Sequence, residues 1–288
     1  MSVELYEDAL GDARNARTLA TASELAYLSA EPGVAAFRER LGLEGHLVSV
    51  DNHQGWVCSS PEHIVVAFRG TESPTSLDGL KDWLLTDAAN LLMVPEGRLG
   101  TDLAAAGVGA RFHQGFVTAI GSIWDEIYGR VAEEMKKEER PLWITGHSLG
   151  GAMALLAAWL FRRKFLAVHQ VYTFGGPMIG NAEAAAAFDR DFGGRIFRYV
   201  NLLDPVPRLP TVSLVGNPYQ HCQTEVAPAE SASATESASA FLSSLASRTV
   251  DGVLNATLID DIWNALQQRL AAHFLDSYQA LVASLFKK

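Results

Sequence analysis

The pentapeptide Gly146-His147-Ser148-Leu149-Gly150 constrains this chain more than any other feature, because of what flanks it. Before it stands Leu142 to Thr145, a short apolar run that reads as a strand, and after it an Ala/Leu-rich run reads as a helix. A serine at that junction sits in a tight strand-to-helix turn with a strained backbone, and glycines two residues to either side remove side chains that would collide there. The turn is expected to hold the Ser148 hydroxyl exposed above a sheet, with the first backbone N–H groups of the helix aimed where an acyl oxyanion would form. The bland alternative is a Gly/Ser turn that caps an ordinary helix.

A serine hydroxyl is a weak nucleophile until a base removes its proton, and in chains built on this elbow the acid and then the histidine follow the serine. Of the eight histidines only His169, His221 and His273 follow Ser148, and His169 precedes every plausible acid. His221 and His273 remain. For the acid, Asp204 follows the strand-like Ile196 to Val200, at the carboxyl end where α/β sheets build their sites, in a loop stiffened by Pro205 and Pro207. Asp189 and Asp191 lie in a polar helix end, and Asp251, Asp260 and Asp261 open the final helical pattern, where acids are commonplace. His147 abuts the nucleophile, but its side chain diverges from the serine's, so packing is its expected role. His113 is expected to hold a loop by hydrogen bonding.

Elsewhere, helical spacing of apolar residues from Leu5 to Tyr27 predicts an N-terminal helix closed by Pro32-Gly33. Leu47 to Val50, Trp56 to Cys58 and Ile64 to Phe68 read as adjacent strands. Leu77, Leu80, Trp83, Leu84, Leu91 and Leu92 form a helical stripe, and Pro95 to Gly109 reads as a Gly-rich surface loop. A long helix runs from Phe116 past Val131 to the charged Lys136 to Arg140. Strands at Leu142 to Thr145, Val171 to Phe174 and Ile196 to Val200 alternate with helices, which implies a mostly parallel central sheet covered by helices on both faces. Residues 228–247, rich in Ser, Ala and Glu, resemble a flexible insertion. A last helical element spans Val253 to Phe286.

The 288 residues suit one α/β domain, taken as 1–288. A formal net charge of −10 would repel phosphate backbones and anionic head groups, which argues against nucleic-acid binding. The apolar run Gly150 to Phe161 is too short to span a bilayer, so no transmembrane segment is expected. The charged first seventeen residues leave no room for a signal-peptide apolar region, so the chain as written reads as cytoplasmic; it would be secreted had an export signal been removed. Cys58 and Cys222 read as buried free thiols. No group of His, Cys, Asp and Glu has zinc spacing and no calcium loop is present, so neither metal nor cofactor is implied.

The ordered set Val65-Val66-Ala67-Phe68-Arg69-Gly70-Thr71, Asp82-Trp83-Leu84, His113-Gln114-Gly115-Phe116, Thr145 to Ala152, Thr173 to Asn181 and Asn201 to Pro210 resembles the class 3 lipases, the family of fungal triacylglycerol lipases and their bacterial and plant relatives. The resemblance implies the α/β-hydrolase fold, with Ser148 as nucleophile, Asp204 as orienting acid, His273 rather than His221 as base, and the backbone N–H groups of Thr71 and Leu149 as oxyanion hole. It further implies an ester or acylglycerol substrate met at a lipid–water interface, and a lid-like helical segment within residues 72–110, longer here than in the fungal enzymes. Phospholipase A1 and feruloyl-esterase activity are the neighbouring alternatives in the same chemistry. A catalytically silent binding module, which would usually have lost a triad member, is the alternative from another class.

Overall fold

The computed structural model describes residues 4–71, 92–94, 96–209, 219–228 and 270–286. Most of the lid-like segment, the Ser/Ala-rich insertion and the first half of the last helical element lie outside the described residues.

Alternation of side chains along the strands explains the layering. Ile64, Val66 and Phe68 of one strand point into one apolar cluster while Val65 and Ala67 point into a second; Leu142 and Ile144 of another face the first cluster and Trp143 the second. Strands apolar on both sides need cover on both sides. The cover on one face is α1 (Ala13–Leu25) and α2 (Ala30–Ala36), with the C-terminal helix introduced below. The sheet begins with β1 (Glu44–Val50), β2 (His53–Ser59) and β3 (Ile64–Phe68), an antiparallel meander. Next come the two-residue β4 (Leu92–Met93), the short α3 (Gly100–Ala104), the two-residue β5 (Phe112–His113) and α4 (Gln114–Lys137). Then β6 (Leu142–His147), α5 (Leu149–Arg163), β7 (Val168–Phe174), the two-residue β8 (Gly180–Asn181), α6 (Ala182–Phe192) and β9 (Ile196–Tyr199) alternate as expected. Finally β10 (Tyr219–Gln220), β11 (Thr224–Val226) and α7 (Leu275–Leu285) close the described chain.

The main sheet runs β1-β2-β3-β6-β7-β9-β11, parallel from β3 onward, with α4, α5 and α6 packed in the first cluster. This is the α/β-hydrolase arrangement. A second sheet of two-residue strands, β10-β8-β5-β4, joins loops beside it and was not legible in the sequence. The run Gly150 to Phe161 is buried on every side, which is why it is apolar throughout without spanning a membrane. Among the described residues no helix is long and apolar enough to cross one.

Four local expectations change. The N-terminal helix starts at Ala13 rather than Leu5, because Asp12 caps it by accepting from the Arg14 N–H at 2.8 Å. Pro32 and Gly33 lie inside α2 instead of ending a helix: a proline in a first turn forfeits no hydrogen bond, and a Cβ at Gly33 would stand 2.2 Å from the Trp56 ring. Residues 95–109 are not all surface loop, since α3 buries Leu103, with Leu99 and Ala106 beside it, in the core, and its Asp102 carbonyl accepts from Trp159 Nε1 at 2.8 Å. Leu92, assigned to the helical stripe, pairs in β4 with His113. Both cysteines are free and buried, and desolvation pushes the Cys222 thiol up to about 12.

Candidate active site

The elbow takes the backbone form that its glycines permit. Ser148 has φ 57° and ψ −129°, a region that non-glycine residues rarely occupy, between the end of β6 and the start of α5. A Cβ at Gly146 would lie 2.1 Å from the Gly150 carbonyl oxygen, and one at Gly150 would lie 2.2 Å from that of Phe68. The turn is pinned by the Ser148 N–H donating to the Phe174 carbonyl at 2.9 Å. Leu149 is the first residue of α5, so its N–H has no acceptor within the helix. The turn after β3 lies against the same spot: a Cβ at Gly70 would meet the Ser148 Cβ at 3.2 Å, which places Thr71 one residue beyond that approach. One expectation is corrected here. The serine is not exposed above the sheet but only 2% accessible, because the Gly70 turn and the His273 ring cover it.

His273 Nε2 stands 2.9 Å from Ser148 Oγ, and His273 Nδ1 stands 2.7 Å from Asp204 Oδ2. These three side chains come from α5's N-terminus, the loop after β9 and the short 3₁₀ turn Leu270–His273, and all three are buried. The final element is therefore not one continuous helix. Phe274, with φ −62° and ψ 145°, breaks it and turns the His273 side chain inward before α7 begins.

Asp204 is held at both oxygens. Oδ1 accepts from the Val206 N–H at 2.9 Å, and Oδ2 accepts from the Tyr278 hydroxyl at 2.5 Å as well as from His273. Burial, and then the adjoining carboxylate, hold the Tyr278 hydroxyl well above the usual tyrosine range, so it is a donor throughout. Gly175, at φ +63°, leaves the room: a Cβ there would stand 3.0 Å from both Asp204 Oδ2 and the Tyr278 hydroxyl. Asn201 ties the acid loop to the histidine turn, with Nδ2 donating to the Ala272 carbonyl at 3.1 Å and Oδ1 accepting from the Leu203 N–H at 3.2 Å. Tyr278 and Asn201 were not legible in the sequence: the tyrosine falls at a helical step of the last apolar pattern, and nothing local distinguishes such an asparagine.

The other histidines fall elsewhere. His221 donates from Nε2 to the Pro207 carbonyl and so pins the loop that carries Asp204; burial holds its pKa down to about 3. His113 stacks on Phe116 at 4.1 Å between ring centroids, its backbone N–H donates to the Ile179 carbonyl at 2.9 Å, and burial holds the ring down to about 4. His147 does more than pack, since both of its ring nitrogens are bonded. No group of His, Cys, Asp and Glu among the described residues could hold a metal ion.

A nucleophile–base–acid chain beside a helix N-terminus can form and hydrolyse an acyl ester. Comparison with known proteins agrees with this chemistry. Residues 65–214 match the family described as lipase (class 3). A secreted mono- and diacylglycerol lipase of Malassezia restricta is 38% identical over 103 residues, which is 35% of this chain and 34% of that protein. A chloroplastic phospholipase A(1) of Arabidopsis thaliana is 31% identical over 160 residues, 52% of this chain and again 34% of that protein. The chain thus spans about a third of the length of these curated relatives. Among solved structures, a triacylglycerol lipase described as having a serine-protease triad at its catalytic centre is 25% identical, with a TM-score of 0.57 over 75% of this chain and 80% of that one.

Proposed function

The chain belongs to the class 3 lipases, and from that premise we propose that it is a serine carboxylic-ester hydrolase acting on acylglycerols through an acyl-serine intermediate. The observation that carries the proposal is the unbroken Ser148–His273–Asp204 hydrogen-bonded chain. In this reading the Ser148 Oγ attacks the ester carbonyl carbon as its proton passes to His273 Nε2. Asp204 keeps Nδ1 protonated and so presents Nε2 as the acceptor. The tetrahedral oxyanion is met by the N–H groups of Leu149 and Thr71, a donation commonly worth about 10²–10³ in rate for each donor. His273 then protonates the leaving alkoxide. Water, deprotonated by the same imidazole, attacks the acyl-serine and releases the carboxylate.

The chain is read as one domain over 1–288, with a lid-like segment within residues 72–110 that opens at a lipid–water interface and 228–247 as an insertion. Support for the interface is the apolar stripe of that segment and the acylglycerol lipases among the relatives. The description of the Malassezia relative as secreted supports export rather than the cytoplasmic placement read from the sequence. A second reading, phospholipase A1, is favoured by the likeness to the Arabidopsis enzyme and uses the same residues on a different head group.

A fluorophosphonate probe should label the wild-type protein at Ser148 and leave Ser148→Ala unlabelled, with initial rates on a diacylglycerol exceeding those on phosphatidylcholine. Failure of the wild type to label would reject a serine hydrolase altogether. A preference for the phospholipid would establish the second reading instead.

A further inference from the structure

Behind the Ser148–His273–Asp204 chain, buried His147 touches the backbone of His273, and half-buried Tyr27 touches His147 in turn. His147 Nε2 lies 2.7 Å from the main-chain carbonyl of His273, and His147 Nδ1 lies 2.9 Å from the Tyr27 hydroxyl. A carbonyl only accepts, so Nε2 carries the proton. Burial holds His147 down at about 3, so the ring is neutral and has no second proton. Nδ1 is therefore an acceptor and Tyr27 its donor. The tyrosine oxygen in turn stands against the Gly70 turn, whose backbone N–H offsets part of the rise that burial imposes on the hydroxyl. That approach depends on glycine, since a Cβ at Gly70 would lie 2.2 Å from the Tyr27 oxygen and 2.9 Å from the His147 carbonyl.

We propose that Tyr27 and His147 are positioning residues, forming a directed hydrogen-bond chain that runs from beside Gly70, in the turn bearing Thr71, to the backbone of His273. The inference rests on the assignment of Ser148 and His273 above. Its physical content is a second tautomer lock. Asp204 fixes the His273 ring by its side chain, and Tyr27 fixes the His147 ring, which holds the same residue by its main chain. The His273 carbonyl needs such a donor because it precedes Phe274, the N-cap of α7, and lies outside that helix's own ladder. The rings of His147 and His273 lie 4.8 Å apart at 32°, so a charged His147 would oppose the imidazolium that His273 becomes during turnover. A role also follows for the N-terminal segment, since Tyr27 stands just beyond the end of α1.

Deleting the Tyr27 hydroxyl removes its contact with the Gly70 turn and frees His147 to move its proton to Nδ1, where Nε2 would then face the His273 carbonyl lone pair to lone pair. Tyr27→Phe should lower kcat about tenfold at unchanged KM, with kcat taken per site titrated by the fluorophosphonate. His147→Leu should lose more than His147→Gln, whose amide can still donate to the carbonyl, and Tyr27→Phe combined with His147→Leu should be no worse than His147→Leu alone, as for groups that act in series. Imidazole ¹⁵N shifts give a readout that does not need turnover: His147 should be a neutral Nε2–H tautomer in the wild type from pH 5 to 8, and a mixture in Tyr27→Phe. Wild-type kcat in Tyr27→Phe, or an unchanged His147 tautomer in that variant, would overturn the coupling while leaving the hydrolase reading intact. An unlabelled wild type would overturn both.

Discussion

At the scale of residues, Asp204 Oδ2 accepts two hydrogen bonds, one from His273 and one from Tyr278, and the two donors should differ sharply in what they contribute. Asp204→Asn removes the acceptor that sets the tautomer of His273 and should depress kcat by several orders of magnitude. Tyr278→Phe keeps the ring against Phe174 and His147 and removes only the hydroxyl. Its cost should be about 1 kcal/mol in stability and about tenfold in kcat, with KM unchanged. Steady-state rates and urea denaturation on the two variants check this. Equal damage from both would make the tyrosine as indispensable as the acid. Sequence order narrowed the base to two histidines, and family likeness chose His273. What separates them physically is direction: His221 donates to the Pro207 carbonyl, whereas the Phe274 break turns His273 toward the serine.

At the scale of elements, periodicity identified the strands β3, β6, β7 and β9 and the helices α4 and α5, because each carries its apolar residues at the spacing that its own geometry buries. It failed where a side chain or a contact from a distant element decides. Asp12 shortens α1, the Trp56 ring selects glycine within α2, and Phe274 divides the last helix. The stripe of Leu80, Trp83 and Leu84, outside the described residues, carries the lid proposal. If that face covers the acyl site in water, exposing it costs about 25 cal/mol per Å² of apolar surface, and an oil surface offsets the cost. Initial rates on tributyrin should therefore rise abruptly as substrate passes its solubility limit, and Trp83→Ala should blunt the rise. Smooth saturation through the limit, unaltered by the substitution, would identify the segment as fixed scaffold.

At the scale of the whole molecule, buried histidines set the acid limit of stability. Burial holds His147 and His221 down to about 3 and His113 to about 4, and pushes His46, His53, His63 and His169 in the same direction. A histidine depressed in the fold stays neutral while the unfolded chain takes up a proton below about pH 6.5. The stability it contributes is thus complete above pH 6.5 and is lost as pH falls toward the folded value. Each of the three deeply buried rings loses stability with a slope that rises toward about 1.4 kcal/mol per pH unit below pH 6.5, so together they remove about 5 kcal/mol between pH 6.5 and 5. That is comparable to the entire stability of many domains. Urea midpoints measured from pH 8 to 5 should fall steeply below 6.5, and a flat profile would show that these rings are solvated.

The sequence alone determined that this chain is an α/β-hydrolase of the class 3 lipases and offered Ser148 as its candidate nucleophile, because the elbow is a local device: strand, two glycines, serine and helix lie within a few residues, and their chemistry can be read there. The tertiary structure alone decided what surrounds that serine. Tyr278 reaches Asp204, His147 reaches the His273 carbonyl with Tyr27 behind it, and Asn201 ties the acid loop to the Ala272 carbonyl. Their hydrogen bonds join residues up to 126 positions apart, and no spacing rule spans such a separation. Burial of Ser148 has the same origin, since Gly70 and His273 cover it from elements distant in the chain. A sequence shows which residue types are present to be brought together; hydrogen-bond direction and desolvation exist only once the chain has folded around them.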